Sequence, residues 1–327
     1  MMRPPLVMTD PAAWMDAAMP AAQRARELQD VFDDLDAHPW PDDIAPARVL
    51  YDQMGPPVPD DIRAEDGVLA GVPARWLYPP SHDPSRIMLF LHGGGYVYGS
   101  LDSHAGMAAE LARAADCIGV QLHYRLAPEH PHPAAVEDAL AAYCAVLDQG
   151  YAPSAVSLVG DSAGGGLVVA LLLVLKQRQL PLPGAVACLS PWVDLLLRGE
   201  SYQTRAHLDP MVERKVVELV REQYLGLQDP TQVTASPILG DLTGLPPMLV
   251  QVGELEILYS DAEMLAEKAH QCGVEVTFEV WPAMVHVWHL YYPMLTAGRE
   301  AISRVGGFLQ QASAKAAASK ESSACMA

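Results

Sequence analysis

The sequence predicts an α/β fold, with a mostly parallel central sheet and helices packed on both of its faces. Three observations carry that expectation. From about residue 68, short apolar runs alternate with helical patterns, as they do when a parallel sheet is buried on both sides. A glycine-rich pentad, Gly160-Asp161-Ser162-Ala163-Gly164, stands where one apolar run gives way to a long apolar helix pattern. A glycine triplet, Gly93-Gly94-Gly95, follows the run Ile87–Leu91 with only His92 between.

Taken in chain order, residues 1–60 are rich in Pro, Asp and Ala, and predict one helix over 21–35 with Ala25, Leu28 and Phe32 on its apolar face. Strands are expected at 86–91, 117–123, 155–160, 185–190, 247–252 and 275–281. Helices are expected between them at 104–115, 134–148, 164–179 and 260–271, with a last one at 294–311. Between Pro191 and Pro246 no strand pattern occurs. Asp209-Pro210 reads there as an N-cap and a first-turn proline, which predicts a helix over Met211–Tyr224. The tail from 312 to 327, rich in Ala, Ser and Lys, is expected to be disordered. Trp14, Phe32 and Met211 read as core residues.

Composition narrows the function. A formal net charge of −19 argues against nucleic acid and anionic membrane surfaces as partners. The five cysteines include no CxxC pair and read as small core residues of a reduced compartment. The longest apolar stretch, Leu167–Leu175, is too short to span a bilayer, and no basic-then-apolar leader is visible. A cytoplasmic protein without stable membrane association is therefore expected.

The chemistry centres on Ser162. A serine hydroxyl is a weak nucleophile until it is exposed on a strained turn beside a base. The glycine triplet and Ala163 supply backbone amides of the kind that stabilise a tetrahedral oxyanion. Two histidines beyond His270 follow the last strand, His286 on a proline-containing loop and His289 three residues later; either can serve as the base. Three carboxylates follow the strand before it, Glu254, Glu256 and Asp261, as candidates to orient that base. The pairs His286-x-x-His289 and His130-Pro131-His132 lack converging partners, so neither a metal nor any other cofactor is expected. His92 reads as structural, its ring fixing the glycine loop, and Arg125, Glu129 and Asp138 as a set of charges holding the following connection.

Four stretches occur in order: His92-Gly93-Gly94-Gly95, Tyr124-Arg125-Leu126-Ala127-Pro128-Glu129-His130-Pro131, the pentad around Ser162, and Ser190-Pro191-Trp192. Together they resemble the bacterial hormone-sensitive lipase-like esterases of the α/β-hydrolase superfamily, from about residue 70 to 310. The resemblance implies an α/β-hydrolase fold with a helical cap. Residues 61–195 and 236–311 would then form the catalytic domain, while 1–60 and 196–235 are cap segments. It places the base at His286. The commoner Asp-Pro-Leu triplet is absent, and aligning Leu258 with its leucine puts Glu256 in the aspartate's place. The expected site is thus Ser162, Glu256 and His286, with Ala163 and two of Gly93, Gly94 and Gly95 as the oxyanion hole. Its substrate would be a small ester with a short to medium acyl chain. An amidase or deacetylase would use the same groups. A receptor branch of the superfamily has lost the histidine, which is present here. The resemblance also implies a homodimer paired through an edge strand, for which 275–281 is the candidate.

Overall fold

The computed structural model describes residues 7–8 and 20–325. The chain begins with β1 (Val7–Met8), α1 (Ala21–Ala37) and α2 (Ile44–Met54), followed by the hairpin of β2 (Arg63–Leu69) and β3 (Val72–Tyr78). Then comes the alternation read from the sequence: β4 (Asp83–Leu91), α3 (Ala105–Ala114), β5 (Cys117–Leu122), α4 (Ala134–Asp148), β6 (Val156–Asp161), α5 (Ala163–Gln177) and β7 (Ala185–Leu189). Two helices, α6 (Ser201–Thr204) and α7 (Arg214–Leu225), interrupt it before β8 (Met248–Gly253), α8 (Tyr259–Gln271), β9 (Val276–Trp281) and α9 (Thr296–Cys325).

The strands form one sheet in the order β1-β9-β8-β7-β6-β4-β5-β3-β2, parallel except where β3 meets β5 and β2. Side chains alternate across it, as the pleat requires. Ile87, Leu89 and Leu91 of β4 enter the core under α4, α5 and α8, while Met88 and Phe90 enter the core under α3 and α9. Helix α5 is buried along its whole apolar length, Leu167 to Leu175, which explains why that stretch carries no amphipathic pattern.

Strand order reverses direction between β4 and β6, and such a switch opens a crevice at the carboxyl ends of the strands. Register brings the important loops to that edge. Leu91 pairs with Gly160, so the glycine triplet and the Ser162 turn emerge side by side. Gly253 pairs with Trp281, which does the same for the loops that carry Glu256 and His286.

Four features differ from the sequence reading. The β2–β3 hairpin and α2 were not expected: β2 is exposed at six of seven positions and lacks apolar alternation. Pro46 obscures α2, yet it sits in the first turn, where its missing N–H costs nothing. Helix α7 starts at Arg214, not Met211. Asp209 still caps, accepting the amides of Met211 and Val212 at 2.9 and 3.0 Å, but it caps a turn ahead of the helix. Helix α9 continues through the segment expected to be disordered, as far as Cys325; its alanines have the highest intrinsic helix propensity. Trp14 and most of residues 1–19 lie outside the described residues.

Candidate active site

Ser162 lies between β6 and α5 with φ 51° and ψ −120°, a conformation that only a tightly held turn keeps in a non-glycine residue. Its amide donates to the Leu189 carbonyl at 2.8 Å, and its carbonyl accepts from Trp192 and Gly166 at 2.9 and 3.1 Å. The flanking glycine is required for space: a Cβ at Gly164 would overlap the Leu91 carbonyl oxygen. The turn aims the hydroxyl at His286, whose Nε2 lies 2.9 Å from Ser162 Oγ. His286 Nδ1 lies 2.8 Å from Glu256 Oε2. The other oxygen of Glu256 accepts from Ser190 Oγ and from the Gly253 amide, both at 2.6 Å.

The competing residues sort by their partners. His289 is fully buried against Gln251, 2.8 Å from its Oε1, and burial pushes its pKa down to about 3. Asp261 accepts the amides of Val193 and Asp194 at 3.0 and 2.9 Å and so shapes the loop after β7; burial raises its carboxyl to about 7. Glu254 is exposed and accepts the Ala283 amide. At His286 burial opposes protonation, but the charge and hydrogen bond of Glu256 outweigh it, so the imidazole pKa lies above its ordinary value. Burial in turn raises the carboxyl of Glu256.

The glycine loop is anchored from below. The Gly93 amide donates to Asp161 Oδ1 at 3.0 Å, and a Cβ on Gly93 would run into the same carboxylate. That leaves Gly94 and Gly95 of the triplet facing the cavity beside Ser162. His92 has the structural role expected: Nδ1 reaches the Gly93 carbonyl at 2.7 Å, the ring stacks on Tyr124, and burial lowers its pKa to about 3. Arg125 pairs with Asp138 and Glu137, whereas Glu129 instead receives Arg48 of α2.

A cavity of about 320 Å³ opens over Ser162 and His286. Leu35 of α1, Tyr51 and Met54 of α2, and Val216, Val217 and Val220 of α7 line it. Helix α7 also touches the glycine loop. Val220 packs against Gly95, where a Cβ would come within 2.8 Å of its Cγ2, and the Tyr224 ring stacks on Tyr96 at 3.7 Å. Met211 lines the cavity and Phe32 packs in the small apolar cluster around Trp281 and Trp288.

Sequence reasoning gave no role to Ser190 or Asp161, and gave Asp209 only that of an N-cap. Ser190 donates to Glu256 and accepts the Val287 amide at 3.2 Å, tying the acid to the histidine loop. Asp209 Oδ2 accepts the Ile257 amide at 2.9 Å, joining the cavity rim to the residue after Glu256. The only available signal was position: Ser190 and Asp161 fall inside stretches that carried the resemblance.

Comparison with known proteins identifies the family. Residues 88–290 match a family model of the α/β hydrolase fold. An acetyl-hydrolase of Streptomyces hygroscopicus is 43% identical over 302 residues, covering 90% of this chain and 98% of that protein. An ethyl acetate hydrolase of Pseudomonas putida is 32% identical over 250 residues, covering 73% and 78%. The crystal structure of an esterase from the bacterial hormone-sensitive lipase family superposes with a TM-score of 0.85 at 44% identity, covering 90% of this chain and 99% of its own. With that breadth of likeness over a shared sheet, the chain belongs to the hormone-sensitive lipase-like carboxylesterases of the α/β-hydrolase fold.

Proposed function

We propose that this carboxylesterase cleaves short- to medium-chain acyl esters by a double displacement through Ser162, His286 and Glu256. The observation that carries the reading is the unbroken chain of contacts, Glu256 to His286 at 2.8 Å and His286 to Ser162 at 2.9 Å, opening on a mostly apolar cavity. Ser162 Oγ attacks the ester carbonyl as His286 Nε2 takes its proton. The imidazolium returns that proton to the departing alkoxide, and water then repeats the sequence on the acyl enzyme. Glu256 accepts from Nδ1–H, keeping Nε2 free to act as base and stabilising the cation that forms. The amides of Gly94, Gly95 and Ala163 bind the oxyanion. Supporting this, the Gly93 amide is already engaged by Asp161, which leaves the other two of the triplet.

A cavity of about 320 Å³ suits an acetyl or butyryl group better than a triglyceride chain, and two relatives are named for acetyl hydrolysis and ethyl acetate hydrolysis. Helices α1, α2 and α7 act as the cap, excluding water and selecting what enters. The deciding experiment is the steady-state rate on p-nitrophenyl butyrate at pH 8 for wild type and Ser162→Ala. The expected loss is on the order of a million-fold in kcat. A variant that turns over like wild type would refute Ser162 as the nucleophile.

A further inference from the structure

Asp161, the residue immediately before the nucleophile, belongs to a second histidine–carboxylate pair that the hydrolytic steps do not use. Its side chain is fully buried, and so is that of His104, just before α3. His104 Nε2 lies 3.3 Å from Asp161 Oδ2, while Asp161 Oδ1 accepts the Gly93 amide at 3.0 Å. The other ring nitrogen, Nδ1, lies 2.8 Å from Ser103 Oγ. Ser103 Oγ accepts the Ser100 amide at 2.8 Å and lies 3.2 Å from the Ser100 carbonyl, so its nearer acceptor is His104 Nδ1. With that proton directed to Nδ1, Nε2 carries the imidazole hydrogen and donates to Asp161. Rings on three sides fix the imidazole: Tyr51 at 5.6 Å, Phe90 at 6.0 Å and His92 at 5.6 Å.

We infer that His104 is a positioning residue for the oxyanion hole, acting through Asp161 on the backbone of the Gly93–Gly95 loop. The inference rests on the oxyanion reading proposed above. A buried carboxylate keeps one orientation only while both oxygens are satisfied. Gly93 satisfies one, and the His104 N–H satisfies the other. Without His104 the carboxylate rotates or recruits another donor, and the Gly93 amide loses a fixed acceptor. The two amides that follow then shift from their places beside Ser162. Oxyanion stabilisation is steep in distance, so displacement of well under an ångström slows acylation and leaves ground-state binding in the apolar cavity intact.

The test compares His104→Phe, which keeps a ring among aromatic neighbours but removes the donor, with His104→Gln, whose side-chain amide restores an N–H. Each is assayed on p-nitrophenyl butyrate beside wild type and Ser162→Ala, with thermal unfolding and inhibition by butylboronic acid measured in parallel. The expected result for His104→Phe is a fall in kcat of about 10- to 100-fold with KM within about twofold. Boronate affinity should weaken by a similar factor, and the acid limb of the pH profile should stay in place because His286 is untouched. His104→Gln should return kcat to within about threefold of wild type. Wild-type kcat in His104→Phe overturns the inference, as does a loss shared equally by both variants or one that appears only in KM. If His104→Phe does not fold, Asp161→Asn takes its place. It still accepts from Gly93 but turns an N–H toward Nε2, and a drop of about tenfold in kcat at unchanged KM is expected, whereas wild-type kcat overturns the inference. The controls separate the two readings. Wild-type activity that survives Ser162→Ala refutes the nucleophile, while full kcat in His104→Phe beside a dead Ser162→Ala refutes only the role of His104.

Discussion

Glu256 and Asp261 are both fully buried carboxylates of one loop-helix segment, and their partners separate them. Glu256 faces the imidazole, whereas Asp261 holds backbone amides. Glu256→Gln should therefore lower kcat by about 10⁴-fold, and Asp261→Asn by less than tenfold, since an asparagine oxygen still accepts those amides. The reverse order of losses in a steady-state assay would reassign the acid. The pH dependence has a definite sign. His286 works as a base only when neutral, and Glu256 raises its pKa, so kcat/KM falls as pH drops through a value above the usual 6.5. Removing the carboxylate charge in Glu256→Gln should move that limb to lower pH; an unmoved limb in the residual activity would show that another group sets it. Candidates for nucleophile, base and acid were legible because acyl transfer admits few residue types in few loop positions, and the family resemblance selected Ser162, His286 and Glu256 among them. Ser190 and Asp161 were not, because their meaning depends on partners 66 and 68 residues away, Glu256 and Gly93.

Secondary-structure elements are readable to the extent that burial imposes a period. The six central strands were recognised because both of their faces are covered, and α3, α4, α5 and α8 because each lies between two such strands. The β2–β3 hairpin escaped notice because β2 is exposed at six of its seven positions and so carries no apolar alternation. Helix α7 was expected as an element but its first turn was misplaced, since Asp209 and Pro210 signal a capped turn equally well with or without a helix continuing from it. The cavity face of α7 is built of valines, so substitution there should alter chain-length preference. Val217→Trp should reduce kcat/KM on p-nitrophenyl hexanoate relative to the acetate by about tenfold or more. An unchanged ratio would remove α7 from the wall that measures the acyl chain.

At the scale of the whole molecule, the edge strand proposed for dimer pairing is partly occupied by the chain itself. Val7 and Met8 of β1 lie in parallel register with Thr277 and Phe278 of β9. A second copy pairing there would have to displace them, so light scattering at micromolar concentration is expected to return the monomer mass; a dimer that persists on dilution would count against it. Stability also carries a pH signature. His289 is held neutral in the fold with a pKa of about 3, while the unfolded chain protonates it near 6.5. The contribution of His289 to folding stability therefore decreases as pH falls from 6.5 toward 3. Asp261, raised to about 7, contributes slope of the opposite sign between about 4 and 7. His289→Gln should make the fall shallower by about 1.4 kcal/mol per pH unit between pH 4 and 5.5, measured by urea unfolding; an unchanged slope would mean that His289 is not buried neutral. Val220 lines the cavity over Ser162 and also rests on Gly95. Enlarging the chamber at that residue loosens the loop on which turnover depends, so selection for bulkier substrates there exacts slowness as well. A lineage drifting toward a new diet has an easier path through Leu35 and Asp36 of α1, which border the same chamber from the other end of the sequence.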